Sequence, residues 1–209
     1  MTKILICMCC KDVHSIYSTK SMTDISKNLD VPHEFTYYTG SVIEEARDNA
    51  VNELFAGDYT HLMFIDDDIL FPKDGIKKLV EMDTDIAAGI YVTKTTKPHL
   101  VAWDNFTVKD DKLTAEEITL TQDRYQQVAG VGMGFTLIKR EVFENVFKKN
   151  HTCFFPKYSA GEDITFCYLA GELGYKIILD KEIELFHLGI YGYSLRDYYR
   201  RWGAKNEQS

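Results

Sequence analysis

Three consecutive aspartates, Asp66, Asp67 and Asp68, directly follow four apolar residues at positions 62–65. Adjacent carboxylates repel one another unless a cation lies among them, and their oxygens suit Mg²⁺ or Mn²⁺. Such an ion also bridges to the phosphate oxygens of a ligand. Because side chains alternate along a strand, we expect Asp66 and Asp68 on one face and Asp67 on the other. The triplet therefore predicts a site for a divalent cation and a diphosphate; a solvated acidic turn is the alternative.

Two further polar positions fall at the ends of predicted elements. Glu162 and Asp163 open a predicted helix, where the helix dipole alone favours carboxylates. The functional interpretation is a general base that faces a hydroxyl group. His187 ends a predicted strand and is either an ordinary core or surface histidine or, as a neutral imidazole, a further ligand of the metal. These residues join the triplet as candidates.

A helix and a glycine-rich loop supply the remaining candidates. Arg47 is either a solvated charge on its predicted helix or a residue that meets a nucleotide. Gly130, Gly132 and Gly134 form a loop that lets the backbone approach a ligand closely. Their spacing, GxGxG, differs from the GxGxxG that opens a helix in dinucleotide-binding folds, so that fingerprint is not supported.

Predicted strands and helices alternate along the chain, and this order must position the candidates. One helix lies behind a capping box of Ser41 and Glu44 and ends at Gly57, and another follows Pro72. The alternation predicts an α/β fold, with a mixed, mostly parallel sheet flanked by helices, in a single domain over residues 1–209. Ligands of such sheets bind at the carboxyl ends of the strands, where the triplet lies. The predicted strands are residues 3–10, 35–39, 61–65, 86–91, 135–138, 175–179 and 183–187.

Two segments break this alternation. Residues 104–127 are polar and without clear periodicity, which predicts a loop or a hairpin excursion. Residues 190–209 form an aromatic and basic tail that could cover the site. Trp103, Tyr125 and the tyrosines of residues 191–199 are candidates for stacking on a ligand, with ordinary packing as the alternative.

The composition argues against several classes of partner. The 24 Lys and Arg face 32 Asp and Glu, the net charge is −8, and no basic run occurs, so nucleic acid is not an expected partner. The five Cys have no paired metal-ligand spacing and predict reduced core thiols in a cytoplasmic setting. No stretch approaches the roughly eighteen apolar residues of a membrane span, and we expect neither a span nor a signal peptide.

In chain order, five segments together resemble the GT-A-fold glycosyltransferases that use nucleotide sugars, above all the short forms coded by large viruses and phages. The likeness covers residues 3–189. It implies a Rossmann-like GT-A domain with metal-dependent transferase activity. The segments are the helix with Ile43, Arg47 and Asn49, then FIDDDILFP at 64–72, GVGMGF at 130–135, GEDITF at 161–166 and FHLG at 186–189.

The resemblance also implies roles for single residues. The triplet matches the DXD motif, in which Asp66 meets the ribose or the metal and Asp68 binds the metal. The triplet also permits an alignment that is shifted along the motif. The role of Asp67, which is expected beside the nucleotide sugar, therefore stays open. Asp163 matches the catalytic base of inverting members, and His187 matches a late metal ligand.

The other positions are expected at the nucleotide sugar. Arg47 and Asn49 match a nucleotide-facing helix position, Glu162 stands beside the base, and Gly132 belongs to the glycine loop. These assignments predict transfer of a hexose from a nucleoside-diphosphate sugar to a hydroxyl of a glycan or glycoprotein, with Mn²⁺ or Mg²⁺ as cofactor and with inversion. A UDP-sugar such as UDP-glucose or UDP-rhamnose is favoured as donor.

Two other functions stay open. A sugar nucleotidyltransferase would carry a loop rich in Gly, Arg and Lys after the first strand, whereas this chain reads Cys9-Cys10-Lys11-Asp12 there. A non-catalytic sugar-binding module is the second alternative. If the chain is viral, the expected location is the host cytoplasm.

Overall fold

A computed structural model describes residues 1–10, 16–39, 42–189 and 192–202. The strands in chain order are β1 (Ile4–Cys10), β2 (His33–Thr39), β3 (His61–Asp66), β4 (Ile69–Leu70), β5 (Ile86–Gly89), β6 (Ala102–Lys109), β7 (Lys112–Glu117), β8 (Tyr125–Val128), β9 (Gly130–Val131), β10 (Phe135–Lys139), β11 (Ile177–Asp180), β12 (Phe186–Leu188) and β13 (Gly192–Tyr193). The helices are α1 (Ile16–Asn28), α2 (Ile43–Ala56), α3 (Gly75–Glu81), α4 (Arg140–Asn150), α5 (Glu162–Glu172) and α6 (Leu195–Trp202).

Seven strands form the central sheet in the order β2-β1-β3-β10-β5-β11-β8. β1 is parallel to β2 and β3, and β5 is parallel to β11. β10 is antiparallel to both β3 and β5, and β8 is antiparallel to β11. Five of the seven strands therefore run in one direction, which confirms the predicted mixed, mostly parallel sheet of an α/β fold.

β1 is apolar on both faces because helices cover both sides of the sheet. Leu5 and Cys7 belong to a core that also contains residues of α2, α4 and α5. Ile4 and Ile6 belong to a second core, to which α1 and α3 contribute. The continuous apolar run that predicted β1 is thus typical of a strand buried on both faces.

The direction of the connections changes between β1 and β3. The chain passes from β1 through α1 to β2 on one side, and then through α2 to β3 on the other side of β1. Since α1 and α2 pack in opposite cores, the loops beyond the two strands leave a crevice between them. Asp66 ends β3 and is paired in register with Cys9 of β1. The fold therefore places the Asp triplet at the crevice.

Two three-stranded sheets, β13-β12-β4 and β7-β6-β9, accompany the central sheet. The excursion predicted for residues 104–127 contains the hairpin β6–β7 and the edge strand β8, so the hairpin alternative is confirmed. The strand predicted at residues 183–187 is instead β12, which begins at Phe186 and pairs with β4 and β13 rather than with the central sheet.

Two expectations concern the ends of elements. Ser41 of the predicted capping box lies outside the described residues, and Val42, the N-cap of α2, makes no side-chain cap hydrogen bond. Gly57 is the C-cap of α2, as predicted. Of the helices in the described ranges, none has both the length and the apolar character needed to cross a bilayer.

Candidate functional site

A cavity of about 560 Å³ opens at the switch point between β1 and β3. Its size falls in the range of small-molecule sites, and its position is where open α/β sheets bind ligands. The walls come from the end of β1, the first two turns of α2, the Asp triplet and β12. The lining residues are Cys9, Cys10, Val42, Ile43, Glu44, Ala46, Arg47, Asp66, Asp67, Asp68 and His187.

The Asp triplet turns the chain from the central sheet into a small sheet. β3 ends at Asp66, and the turn through Asp67 and Asp68 leads into β4. β4 pairs with β12, and the N–H of Leu188 donates to the carbonyl of Asp68 at 2.7 Å. Two distant sequence segments, FIDDDILFP and FHLG, are thereby fixed side by side, which brings His187 to the triplet.

His187 is oriented by a backbone hydrogen bond. Its Nδ1 lies 2.7 Å from the carbonyl oxygen of Val92. Because a carbonyl only accepts, Nδ1 carries the proton, and a neutral ring turns its Nε2 lone pair outward. Nε2 lies 3.4 Å from Oδ1 of Asp68. That oxygen is buried and, within the described residues, has no hydrogen-bond partner.

This pair of atoms fits a divalent cation. A carboxylate oxygen and an imidazole nitrogen facing each other are both ligands for Mn²⁺, and an outward-facing Nε2 with Nδ1–H bound to a carbonyl is the usual arrangement of a metal-binding histidine. The described residues contain no group of three or more Asp, Glu, His or Cys side chains gathered as a complete metal site. Mg²⁺ and Mn²⁺ sites in nucleotide enzymes commonly take one or two protein ligands and complete the shell with phosphate oxygens and water.

Asp68 also contacts a lysine. The Nζ of Lys94 forms an ion pair with Oδ2 of Asp68. Burial acts to raise the pKa of Asp68, but His187 and Lys94 together lower it below its ordinary value. The carboxylate is therefore held in its charged form, which is the form that binds a metal.

Asp66 lies beside a buried arginine instead. Arg47 is only 4% exposed, and its guanidinium binds Oε1 of Glu162 and, at 3.3 Å, Oδ1 of Asp66. Burial raises the pKa of Asp66, against the opposing effect of Arg47, and raises that of Glu162 in the same way. Neither interpretation of Arg47 from the sequence anticipates this arrangement, in which the guanidinium joins the end of β3 to the start of α5.

Glu162 and Asp163 are the first residues of α5, after the N-cap Gly161. The N–H of Ile164 donates to Oδ1 of Asp163 at 2.8 Å. Neither carboxylate lines the cavity, although the charge of Asp163 acts on both Arg47 and Tyr91. Asp163 therefore lies within electrostatic range of Arg47, which itself contacts Asp66.

The glycine loop is packed against a tyrosine. A Cβ on Gly132 would overlap the hydroxyl of Tyr91 and lie 2.6 Å from Cγ1 of Val101. The N–H of Gly134 donates to the Tyr91 hydroxyl at 3.2 Å, and the carbonyl of Gly134 accepts the N–H of Asp66 at 3.0 Å. The close approach at Gly132 is therefore to Tyr91, and contact of Gly132 with a nucleotide sugar stays a prediction.

Helix α2 presents different residues to different neighbours. Arg47 lines the cavity, whereas Asn49 is exposed and lies outside the lining. Between them, Asp48 accepts the N–H groups of Cys153 and Phe154, each at 3.0 Å, and so anchors the segment that leads to α5. The expected nucleotide contact of Asn49 stays a prediction.

Sequence reasoning missed two residues of the site, Tyr91 and Lys94. Tyr91 is buried at the end of the β5 segment, and its ring packs edge-on against His187, with centroids 5.2 Å apart at 86°. Tyr91 lies in a run of apolar residues that is typical of an ordinary core strand. The available signal is the alternate glycines at 130, 132 and 134, since glycine in a buried segment indicates that a bulky group approaches closely. Lys94 lies in a polar loop whose sequence has no periodicity to place it.

The comparisons with known proteins define the fold class and then one structural relative. No family model matches the chain, and no curated protein matches it. In contrast, 185 chains of solved structures match, so the architecture, a Rossmann-like α/β fold, is widely shared. One of them is the crystal structure of A197 from STIV, which is 19% identical, has a TM-score of 0.60, and aligns over 90% of this chain and 86% of that chain. At this identity the likeness establishes the fold alone.

Proposed function

We propose that the chain is a metal-dependent glycosyltransferase that moves a hexose from a nucleoside-diphosphate sugar to a hydroxyl of a glycan or glycoprotein. The observation that carries the proposal is the pairing of Asp68 Oδ1 with His187 Nε2, 3.4 Å apart, at a cavity on the carboxyl edge of the sheet. A cation between these atoms would meet a diphosphate in the cavity. The sequence resemblance supplies the class of reaction.

Asp68 and His187, with Asp66 nearby, would hold Mn²⁺ or Mg²⁺, and the ion would supply Lewis-acid stabilisation of the diphosphate leaving group. Asp66 has a different neighbour from Asp68, because Arg47 binds one of its oxygens. We therefore assign the main ligand role to Asp68 and the ribose-facing or auxiliary role to Asp66. Asp67 also lines the cavity, and we assign it to contact with the nucleotide sugar.

We assign the base to Asp163. Its Oδ1 accepts the N–H of Ile164, so Oδ2 is the oxygen proposed to take the proton of the acceptor hydroxyl. The start of α5 provides a fixed carboxylate near the triplet, and direct attack assisted by this base inverts the anomeric centre. Glu162 holds Arg47 and thereby fixes the first turn of α5 relative to β3.

The donor is proposed to be a UDP-sugar, with UDP-glucose or UDP-rhamnose favoured. The cavity lining combines the apolar residues Val42 and Ile43 with the acidic triplet, and a metal among the carboxylates would offset their repulsion of an anionic ligand. We further propose a cytoplasmic location, including the host cytoplasm for a viral chain, because all five cysteines are free.

Release of UDP tests the proposal. The purified chain is incubated with UDP-glucose, UDP-rhamnose or GDP-mannose and MnCl₂, and free nucleoside diphosphate is measured with and without EDTA. We expect slow, EDTA-sensitive release from one donor, lost in Asp68→Asn. Binding without release would indicate a sugar-binding module, and pyrophosphate formed from UTP and glucose 1-phosphate would indicate a nucleotidyltransferase.

A further inference from the structure

The loop of residues 93–99 contacts the proposed metal site at two points. Its base is closed by the bridge between Val92 and Leu100 and by the N–H of Thr93, which donates to the carbonyl of His99 at 2.9 Å. Val92, at this base, accepts the hydrogen bond that orients His187. Lys94, which follows Thr93, forms the ion pair with Asp68. One short loop therefore controls both proposed metal ligands.

The FHLG segment provides space for the lysine. A Cβ on Gly189 would lie 3.3 Å from Cδ of Lys94, so the aliphatic stem of the lysine packs over this glycine. Its side chain is 36% exposed. Lysine is a compact charge on a flexible four-carbon stem, and it can move its ammonium group by several ångströms at little cost when the stem is partly solvated.

We propose that Lys94 is an exchangeable cation of the site: its ammonium neutralises Asp68 and, when a divalent cation binds there, transfers to the diphosphate of the donor. This inference rests on the proposed function. Two cations next to one carboxylate repel each other, so a divalent ion on Asp68 displaces the ammonium group. The diphosphate beside the ion carries spare negative charge and is the nearest anionic partner for it.

Displacement of the ammonium group by the metal and its transfer to the diphosphate predict opposite effects of one substitution. In Lys94→Met, Mn²⁺ no longer competes with an ion pair, and we expect its dissociation constant without nucleotide to fall roughly two- to fivefold. With saturating Mn²⁺, UDP loses a charged partner, and we expect its dissociation constant to rise about tenfold. A merely structural lysine would not improve one affinity while weakening the other.

The experiment measures Mn²⁺ binding by electron paramagnetic resonance and UDP binding by calorimetry. Lys97→Met is the matched control, because it removes the same charge from the same loop, and neither affinity should change. Lys94→Arg keeps a cation and should restore most of the UDP affinity. Melting temperatures of all variants identify any loss of folding.

Each outcome decides a separate point. Tighter Mn²⁺ binding together with weaker UDP binding in Lys94→Met supports the proposal. Unchanged or weaker Mn²⁺ binding in that variant overturns it, and the proposed function still stands if Asp68→Asn abolishes Mn²⁺-dependent UDP binding. Tighter Mn²⁺ binding with unchanged UDP affinity overturns the transfer to the diphosphate. Absence of Mn²⁺ binding by the unaltered chain both with and without UDP overturns the inference and the metal site of the proposed function.

Discussion

The two outer residues of the Asp triplet lie in contrasting surroundings. Asp66 belongs to a paired side of the site, where Arg47 is buried between it and Glu162. Asp68 belongs to an open side with His187 and Lys94, where Oδ1 has no hydrogen bond within the described ranges. Burial dominates on the paired side and raises the pKa of Asp66, whereas the contacts with His187 and Lys94 dominate on the open side and lower the pKa of Asp68.

One motif thus combines two kinds of carboxylate. Asp66 is bound by Arg47, a cation of the chain itself, and loss of this ion pair should weaken the fold. Asp68 has a buried oxygen that faces an imidazole nitrogen and has no hydrogen bond among the described residues, and loss of this carboxylate should weaken ligand binding. Substitutions on the paired side should therefore lower stability, and those on the open side should lower binding.

Asp68→Asn should have the largest effect on binding. An amide cannot replace a charged metal ligand, and we expect Mn²⁺-dependent affinity for UDP to fall by more than about 100-fold. Calorimetry with and without MnCl₂ measures it. Asp67→Asn is the matched variant, which removes a neighbouring charge of the same cavity. Equal losses in both would show that net charge, rather than the Asp68–His187 pair, governs binding.

Asp163→Asn should have the largest effect on catalysis. A positioned base contributes about 10²–10⁴-fold, so turnover with the active donor should fall by that factor while the affinity for UDP and Mn²⁺ stays. Glu172→Gln, at the exposed end of the same helix, is the control and should leave turnover unaltered. Turnover within threefold of the unaltered chain would remove Asp163 as the base, and the inverting outcome with it.

Arg47→Met should have the largest effect on stability. It retains the apolar stem but leaves Asp66 and Glu162 without their shared cation, and breaking a buried ion pair of this kind costs about 3 kcal/mol. Urea denaturation measures the free energy of unfolding. Arg196→Met removes an arginine whose side chain is 78% exposed and should cost less than about 0.5 kcal/mol. A comparable loss in the two variants would contradict the structural role of the paired side.

The sequence is enough to predict the sheet and the triplet, and the reason is periodicity. The apolar run of β1, the helical spacing in α2 and the switch from strand to acidic turn at Asp66 each follow from local patterns. The sequence is not enough to predict contacts between residues that are far apart along the chain. Arg47 meets Glu162 across 115 positions, and Val92 meets His187 across 95, so no local pattern records either contact.

The glycine loop shows the same limit in a different form. The spacing of Gly132 and Gly134 predicts a close approach to a ligand, which stays a prediction, whereas the group that the structure places against Gly132 is Tyr91, brought there by the register of β5 beside β10. Glycine spacing specifies that space is required, while the topology specifies what fills it.

Gly132→Ala and Tyr91→Phe should show the smallest effects. The coupling between the two substitutions tests whether Tyr91 is the group that requires glycine at position 132. The added methyl group must displace the Tyr91 hydroxyl and Val101, and overpacking of this kind costs about 1–3 kcal/mol. Tyr91→Phe removes the acceptor of the Gly134 N–H and should cost about 1 kcal/mol. In the double variant the methyl group no longer meets a hydroxyl, so the total loss of unfolding free energy should fall short of the sum by about 1 kcal/mol. Strictly additive losses would show that Val101, rather than Tyr91, determines the need for glycine at this position.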